Sequence, residues 1–273
     1  TLVYIGELVV DADLWALTQH TLSVNKISLQ DFTGNISRTT SDSAFNFSYI
    51  INAFNSDSLA ESSPTDTTSK PWSFKIEDIV LQKISILYDD RLTGNFVEAT
   101  IGELSLPVRE FEPSKSIYTA GKIKIENVHA VIEQRKAPDI NQQEADSLPT
   151  IEFEEIDLRN ITLSYSQLAL KQYLHAELKE AFIDINEIDL TKNLIDINNV
   201  SLQHSSITYN FYQPEVSTVQ QPSTNSEPFT GLNIPWDITV NDINLEGNSI
   251  QYFNSALPVE KGSIDFNHLW IFG

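Results

Sequence analysis

The chain has 273 residues and carries 17 Lys and Arg against 38 Asp and Glu, a formal charge of −21. That balance excludes a nucleic-acid-binding surface, which needs a concentrated basic face, and it argues against docking on an anionic leaflet. Cysteine is absent, which excludes disulfides, thiolate nucleophiles and cysteine-ligated zinc.

Apolar and polar residues alternate almost throughout, with Asn and Asp at the breaks, so strands are expected along the chain. Residues 1–54 form an N-terminal β segment in which Asp11–His20 (DADLWALTQH) reads as a short helix capped by Asp11 or Asp13. Phe45–Phe54 is expected to begin as a strand and end as a helical turn. A polar loop at 55–70 precedes a repeat at 71–135; a second loop at 136–149 precedes a repeat at 150–212; a third loop at 213–230 precedes a partial repeat at 231–273. These are expected to form one continuous array. Methionine is absent, no signal peptide is seen and no run reaches the length of a membrane helix, so the sequence reads as a piece of a longer chain.

The repeat is visible directly. IEDIVLQKISILY from Ile76, FEEIDLRNITLSY from Phe153 and VNDINLEGNSIQY from Val240 superpose: Ile79, Leu81 and Ile86 match Ile156, Leu158 and Leu163, and Ile243, Leu245 and Ile250. Apolar pairs lie two residues apart, as in a strand, but successive pairs lie three apart: Ile151 and Phe153, then Ile156 and Leu158, then Ile161 and Leu163. Each step of three would turn the following side chains to the other face unless the strand bends there. The steps fall on polar residues such as Asn25–Lys26, Glu77–Asp78, Glu154–Glu155 and Arg159–Asn160. The expectation is a strongly curved sheet, apolar inside and acidic outside.

Catalytic patterns are missing. His20, His129, His175, His204 and His268 are not spaced as metal ligands, and there is no GxSxG, P-loop or GxGxxG. The denser carboxylate pairs, Asp89–Asp90 and Glu154–Glu155, are expected by chance in so acidic a chain, and no calcium-loop motif occurs. Sequons stand at Asn35, Asn46, Asn160 and Asn199. No enzyme, cofactor or metal is expected.

Two stretches carry a resemblance. Gly6–Phe54 (GELVVDADLWALTQHTLSVNKISLQDF…) and Trp72–Phe111 (WSFKIEDIVLQKISILYDDRLTGNFVEATIGELSLPVREF), with FNHLWI at Phe266–Ile271, resemble Bacteroidetes TamB-like proteins of the wider AsmA-like group. The resemblance implies an all-β fold with one or two short helices: an elongated, curved antiparallel sheet forming a repeating β-groove, or β-taco. It further implies a periplasmic location, an inner-membrane anchor outside this sequence, and phospholipid acyl chains as the occupant. Passage of lipid between inner and outer membranes follows, with an outer-membrane barrel protein as a possible partner. The expected lining is Ile79, Leu81, Ile84, Ile86, Ile156, Leu158, Ile161, Leu163, Ile243 and Leu245; the same residues would equally fill a closed core. Two other readings are a scaffold for outer-membrane protein assembly or secretion, and a surface adhesin or carbohydrate-binding array with exposed aromatics near Trp72, Trp236 or Trp270.

Overall fold

A computed structural model describes residues 2–19, 21–39, 44–49, 73–112, 115–136, 149–213, 237–262 and 264–273. They form a single open sheet of twelve strands. In chain order these are β1 (Val3–Asp13), β2 (Thr21–Arg38), β3 (Ser73–Asp90), β4 (Asn95–Glu112), β5 (Ile117–Gln134), β6 (Thr150–Gln167), β7 (Gln172–Asp189), β8 (Leu194–Gln203), β9 (Ser206–Phe211), β10 (Asp237–Glu246), β11 (Ser249–Asn254) and β12 (His268–Phe272). β8 and β9 both pair with β7 and together fill one lane, and β10 and β11, paired to them in turn, fill the next. Strands β2 to β7 each have 18 residues. Residues 194–211 and 237–254 span the same length.

The sheet is mixed, not antiparallel as expected. β3–β4–β5 and β6–β7–β8/β9 are antiparallel units joined by short turns. The contacts β2–β3, β5–β6, β8–β10 and β9–β11 are parallel. The reason lies in connection length. A parallel pair needs a crossover of a dozen or more residues, and fifteen residues, 135–149, separate β5 from β6. The long polar stretches therefore stand between parallel neighbours.

The helix expected at Asp11–His20 is mostly absent. Strand β1 runs on to Asp13, and only Ala16–Gln19 forms one 3-10 turn. Asp13 still caps it, its Oδ1 accepting the Trp15 N–H at 2.9 Å. The segment Leu14–Gln19 is too short to outweigh the ladder that β1 makes with β2. Phe45–Phe47 is turn and not strand, Ser48 and Tyr49 begin a helical turn, and residues 50–54 lie outside the described residues, as do the stretches 55–70, 137–148 and 214–230.

The steps of three are creases. At the eleventh residue of each first or third strand of a unit the backbone is left-handed: Asp31, Lys83, Asn127, Asn160, His204 and Gly247 have φ between 50° and 63°. The ladder skips that residue each time; Gln30 pairs Gln82 and Phe32 pairs Ile84, with Asp31 and Lys83 between them unpaired in the register. The middle strand of a unit crosses the same line at Gly102 or Lys179, and β1 crosses it at Gly6. Glycine is required where the neighbour crowds in: a Cβ on Gly102 would stand 2.7 Å from the Asn127 Cβ, and one on Gly6 2.7 Å from that of Asp31. Side chains link along the crease, Lys83 to Asp31 at 3.6 Å, Asn160 Nδ2 to Asn127 Oδ1 at 3.1 Å and Lys179 Nζ to Asn160 Oδ1 at 2.7 Å. A second line of skips runs through Asn25–Glu77, Gly121–Glu154 and Asn198–Asn241, with bulges in β4 and β7 opposite. Two creases thus fold the 18-residue strands and the two broken lanes at the same two heights, and the sheet curves.

Candidate functional site: an apolar groove

The creases keep the apolar set on one face, and the register aligns that set into rows across the sheet. One row runs Leu8, Leu29, Leu81, Leu104, Ile125, Leu158, Ala181, Leu202, Leu245. Beyond the left-handed crease a second runs Ile5, Phe32, Ile84, Ile101, Val128, Ile161, Leu178. A third passes through Ile86, Ala99, Ala130, Leu163, Ala176, Ile207, Ile250 and Ile271, and a fourth through Tyr88, Val97, Ile132, Tyr165, Leu174, Tyr209, Tyr252 and Leu269. Ile79, Ile156 and Ile243 belong to one further row. Nine strands at a spacing of about 4.8 Å make a row about 38 Å long.

All ten residues expected from the sequence stand in these rows. Ile84 is 4% exposed, whereas Ile243 is 58% and Leu245 38% exposed at the β10 end; the other seven are half-buried. Every buried apolar side chain of the described residues (Val24, Ile84, Ala120, Ile123, Ala176, Ala181, Leu202) faces the same way. No second layer of described residues covers them, so this burial comes from the sheet folding toward its own apolar side. The opposite face carries the charge pairs Lys124–Glu126, Arg159–Asp157 and Arg135–Asp89.

The two lips of this trough differ. At the lip where β3, β6 and β11 end, Asp90, Gln167 and Asn254 are 1%, 1% and 3% exposed. Each side chain holds its own turn: Asp90 accepts from the Leu92 and Thr93 N–H groups and binds Arg38, Gln167 accepts from Ala169 and Leu170, and Asn254 accepts from Gln213 and Ala256. The Arg38 guanidinium, with the Thr93 hydroxyl and the turn N–H groups, holds the Asp90 carboxyl well below its usual pKa. Just beneath lies the tyrosine-rich row. Tyr165 donates to Gln134 Oε1 at 2.9 Å, and Tyr209, Phe211 and Tyr252 cluster with ring centroids 5.0 to 5.9 Å apart. Burial pushes the Tyr209 and Tyr252 phenols up in pKa.

The sequence reading missed one interruption. In the row of Ile84 and Ile161 the last two places are taken by Ser205 and Asn248, each 4% exposed. Asn248 Oδ1 accepts the Ser205 N–H at 2.9 Å and its Nδ2 donates to the Leu202 carbonyl at 2.6 Å. These bonds replace ladder bonds lost at the crease, where both lanes break into two strands. The signal was present: in the third repeat copy Asn248 falls where Ile84 and Ile161 fall in the other two.

Chemistry for catalysis is sparse. Ser164 Oγ lies 3.0 Å from His175 Nδ1, and His175 Nε2 lies 3.4 Å from Glu177 Oε1, but these sit on the charged outer face, where the neighbouring backbone N–H groups are committed to the ladder and leave no oxyanion site. His268 binds Asp265 at 2.8 Å. Among the described residues no group of His, Asp and Glu could hold a metal ion, and no helix is long and apolar enough to cross a membrane. Trp72 and Trp236 lie outside the described residues; Trp270 is 64% exposed and its ring packs tilted against that of Phe272 at 5.1 Å. No family model matches the chain, and no curated protein or solved structure matches it either.

Proposed function

We propose that the chain is a non-enzymatic groove segment that holds phospholipid acyl chains. The observation that carries this reading is the set of apolar rows on one open sheet, interrupted in one row by Ser205 and Asn248, with no covering layer among the described residues. Each methylene that leaves water for the groove contributes about 0.8 kcal/mol, and the contact is non-directional. A row of about 38 Å is more than twice the length of one acyl chain, which spans half of a bilayer core about 30 Å thick. A chain could therefore shift along the rows without losing contact, as conduction between membranes requires. The resemblance to TamB-like proteins supports the same reading and implies a periplasm between two membranes as the setting.

Native mass spectrometry of the purified protein tests this. Bound phospholipid, or uptake of an added lipid with displacement by a second, is the expected result. A protein that carries no lipid and takes up no diacyl probe would sink the reading.

A scaffold role in outer-membrane protein assembly has one observation in its favour. The edge strand β1 exposes Val3, Tyr4, Ile5, Leu8, Val9 and Val10, a template for strand addition. Photo-crosslinks from β1 to a barrel protein, in the absence of bound lipid, would favour it. The exposed Trp270–Phe272 pair suits a carbohydrate-binding array, and a glycan-binding screen separates that case.

A further inference from the structure

The net charge of −21 hides an uneven distribution between the two lips. At the strand ends above the tyrosine row, Arg38, Arg91, Arg135, Lys136 and Lys171 follow one another across neighbouring strands and turns, Arg91 and Arg135 being paired to Asp89 on the outer face. Arg91 N–H bonds the Arg38 carbonyl, and Arg135 N–H bonds the Gly94 carbonyl, so these ends are adjacent. Among the described residues three carboxylates stand with them. Asp90 is taken by Arg38, Asp89 bridges Arg91 and Arg135 at 2.9 Å to each, and Glu133 binds Arg135 at 3.2 Å. Lys136 Nζ instead donates to the Leu92 carbonyl at 2.6 Å, and Lys171 Nζ stands 4.2 Å from the centre of the Tyr212 ring. The exposed side chains between them are apolar: Leu92, Leu168, Leu170 and Tyr212 are 39% to 46% exposed. The opposite lip is acidic, with Glu110, Glu112, Glu152, Glu154, Glu187 and Asp189. Its cations there are paired: Lys75 with Glu77, Lys115 with Glu112, Arg109 with Glu154 and Lys192 with Asp189.

We infer that this basic lip is a headgroup rim that takes the phosphate of a lipid whose chains lie in the groove; the inference rests on the groove reading above. From floor to lip the order is aliphatic rows, a tyrosine row, then cations set among exposed leucines. That is the order an amphiphile presents from chain to glycerol ester to phosphate. Among the described residues the hydroxyls of Tyr209 and Tyr252 have no hydrogen-bond partner, so they remain available to ester or phosphate oxygens. Among the described residues Lys136 and Lys171 are the cations of this lip without carboxylate partners, so they supply the attraction. An anionic lipid has no such reception on the acidic lip, which fixes its orientation across the trough.

The test compares binding of phosphatidylglycerol with diacylglycerol of the same chains, by native mass spectrometry and by displacement of a fluorescent diacyl probe. Exposed ion pairs each contribute about a two- to fivefold effect, so two lysines should favour the anionic lipid by about tenfold at low salt, with the preference fading as salt rises. Lys136→Glu with Lys171→Glu should abolish the preference and leave diacylglycerol binding intact. Lys75→Glu with Lys192→Glu makes the same net-charge change at the acidic lip and should leave the preference in place. The milder Lys136→Gln with Lys171→Gln covers the case in which the charge reversal does not fold. If neither lipid binds, the groove reading fails and the rim falls with it. If diacylglycerol binds but phosphatidylglycerol binds no better, or the preference survives the rim variants, the rim is overturned and the groove stands. Retention on phosphatidylglycerol vesicles without uptake of single lipids would also overturn it, assigning the lip to a bilayer surface.

Discussion

Replacing Gly102 by Ala puts a single methyl group at the crease, and the structure says what it meets. The new Cβ would lie 2.7 Å from the Asn127 Cβ, 3.1 Å from the Glu126 carbonyl oxygen and 3.3 Å from that of Asn127. Carbon atoms rest about 3.5 to 4.0 Å apart, so the first contact is short by about 1 Å, and two of the three obstacles are backbone. Relief requires β4 and β5 to part at this crease, and the cost should be about 1–3 kcal/mol, the range for forced overpacking. Asn127→Gly removes the atom struck and suits the left-handed φ of 55° at that position. The double variant should therefore recover most of the loss, giving a coupling of about 1–2 kcal/mol in a double-mutant cycle. Urea titration followed by far-UV circular dichroism measures all four proteins. A Gly102→Ala protein as stable as the parent, or additive effects with no coupling, would show that the crease is not a close approach of β4 and β5.

Four other expectations follow from named contacts. Lys83→Gly should raise stability by up to about 1 kcal/mol in the same urea assay, since a left-handed φ costs a side-chain-bearing residue about 1–2 kcal/mol and the Asp31–Lys83 pair is long and exposed; Lys83→Val should do the opposite. Asn248→Leu should cost about 1–3 kcal/mol by leaving the Ser205 N–H and the Leu202 carbonyl unsatisfied, and an unchanged unfolding midpoint would refute the bracket. Asp90 has a folded-state pKa below its ordinary value of 3.8, so its contribution is fully present above that value and is lost as pH falls below it. Asp90→Asn should therefore lower the melting temperature at neutral pH and flatten its decline through acid pH, read by melting curves across a pH series. Ile161→Glu places a carboxylate in the middle of the groove floor; lipid uptake should drop by about tenfold or more while the β-sheet spectrum persists, because a charge displaces apolar contact and demands hydration, and undiminished uptake would remove this row from the groove.

What the sequence determined by itself was the local rule. Apolar pairs at Ile156–Leu158 and Ile161–Leu163, separated by polar steps, admit only a strand that bends at Arg159–Asn160 to keep one greasy side, and Asn160 does adopt the left-handed conformation there. All ten expected lining residues share that side for the same reason, since the side-chain alternation of a strand is set by its own backbone. The tertiary structure decided what local pattern cannot hold: which strand lies beside which. The parallel contact of β5 with β6 depends on where the chain returns after Gln134, and no alternation records that. The polar bracket of Asn248 and Ser205 appears only when two broken lanes meet. The basic lip appears only because Arg38, Arg91, Arg135, Lys136 and Lys171, scattered over 134 positions of an acidic sequence, finish at the same edge of strands cut to one length.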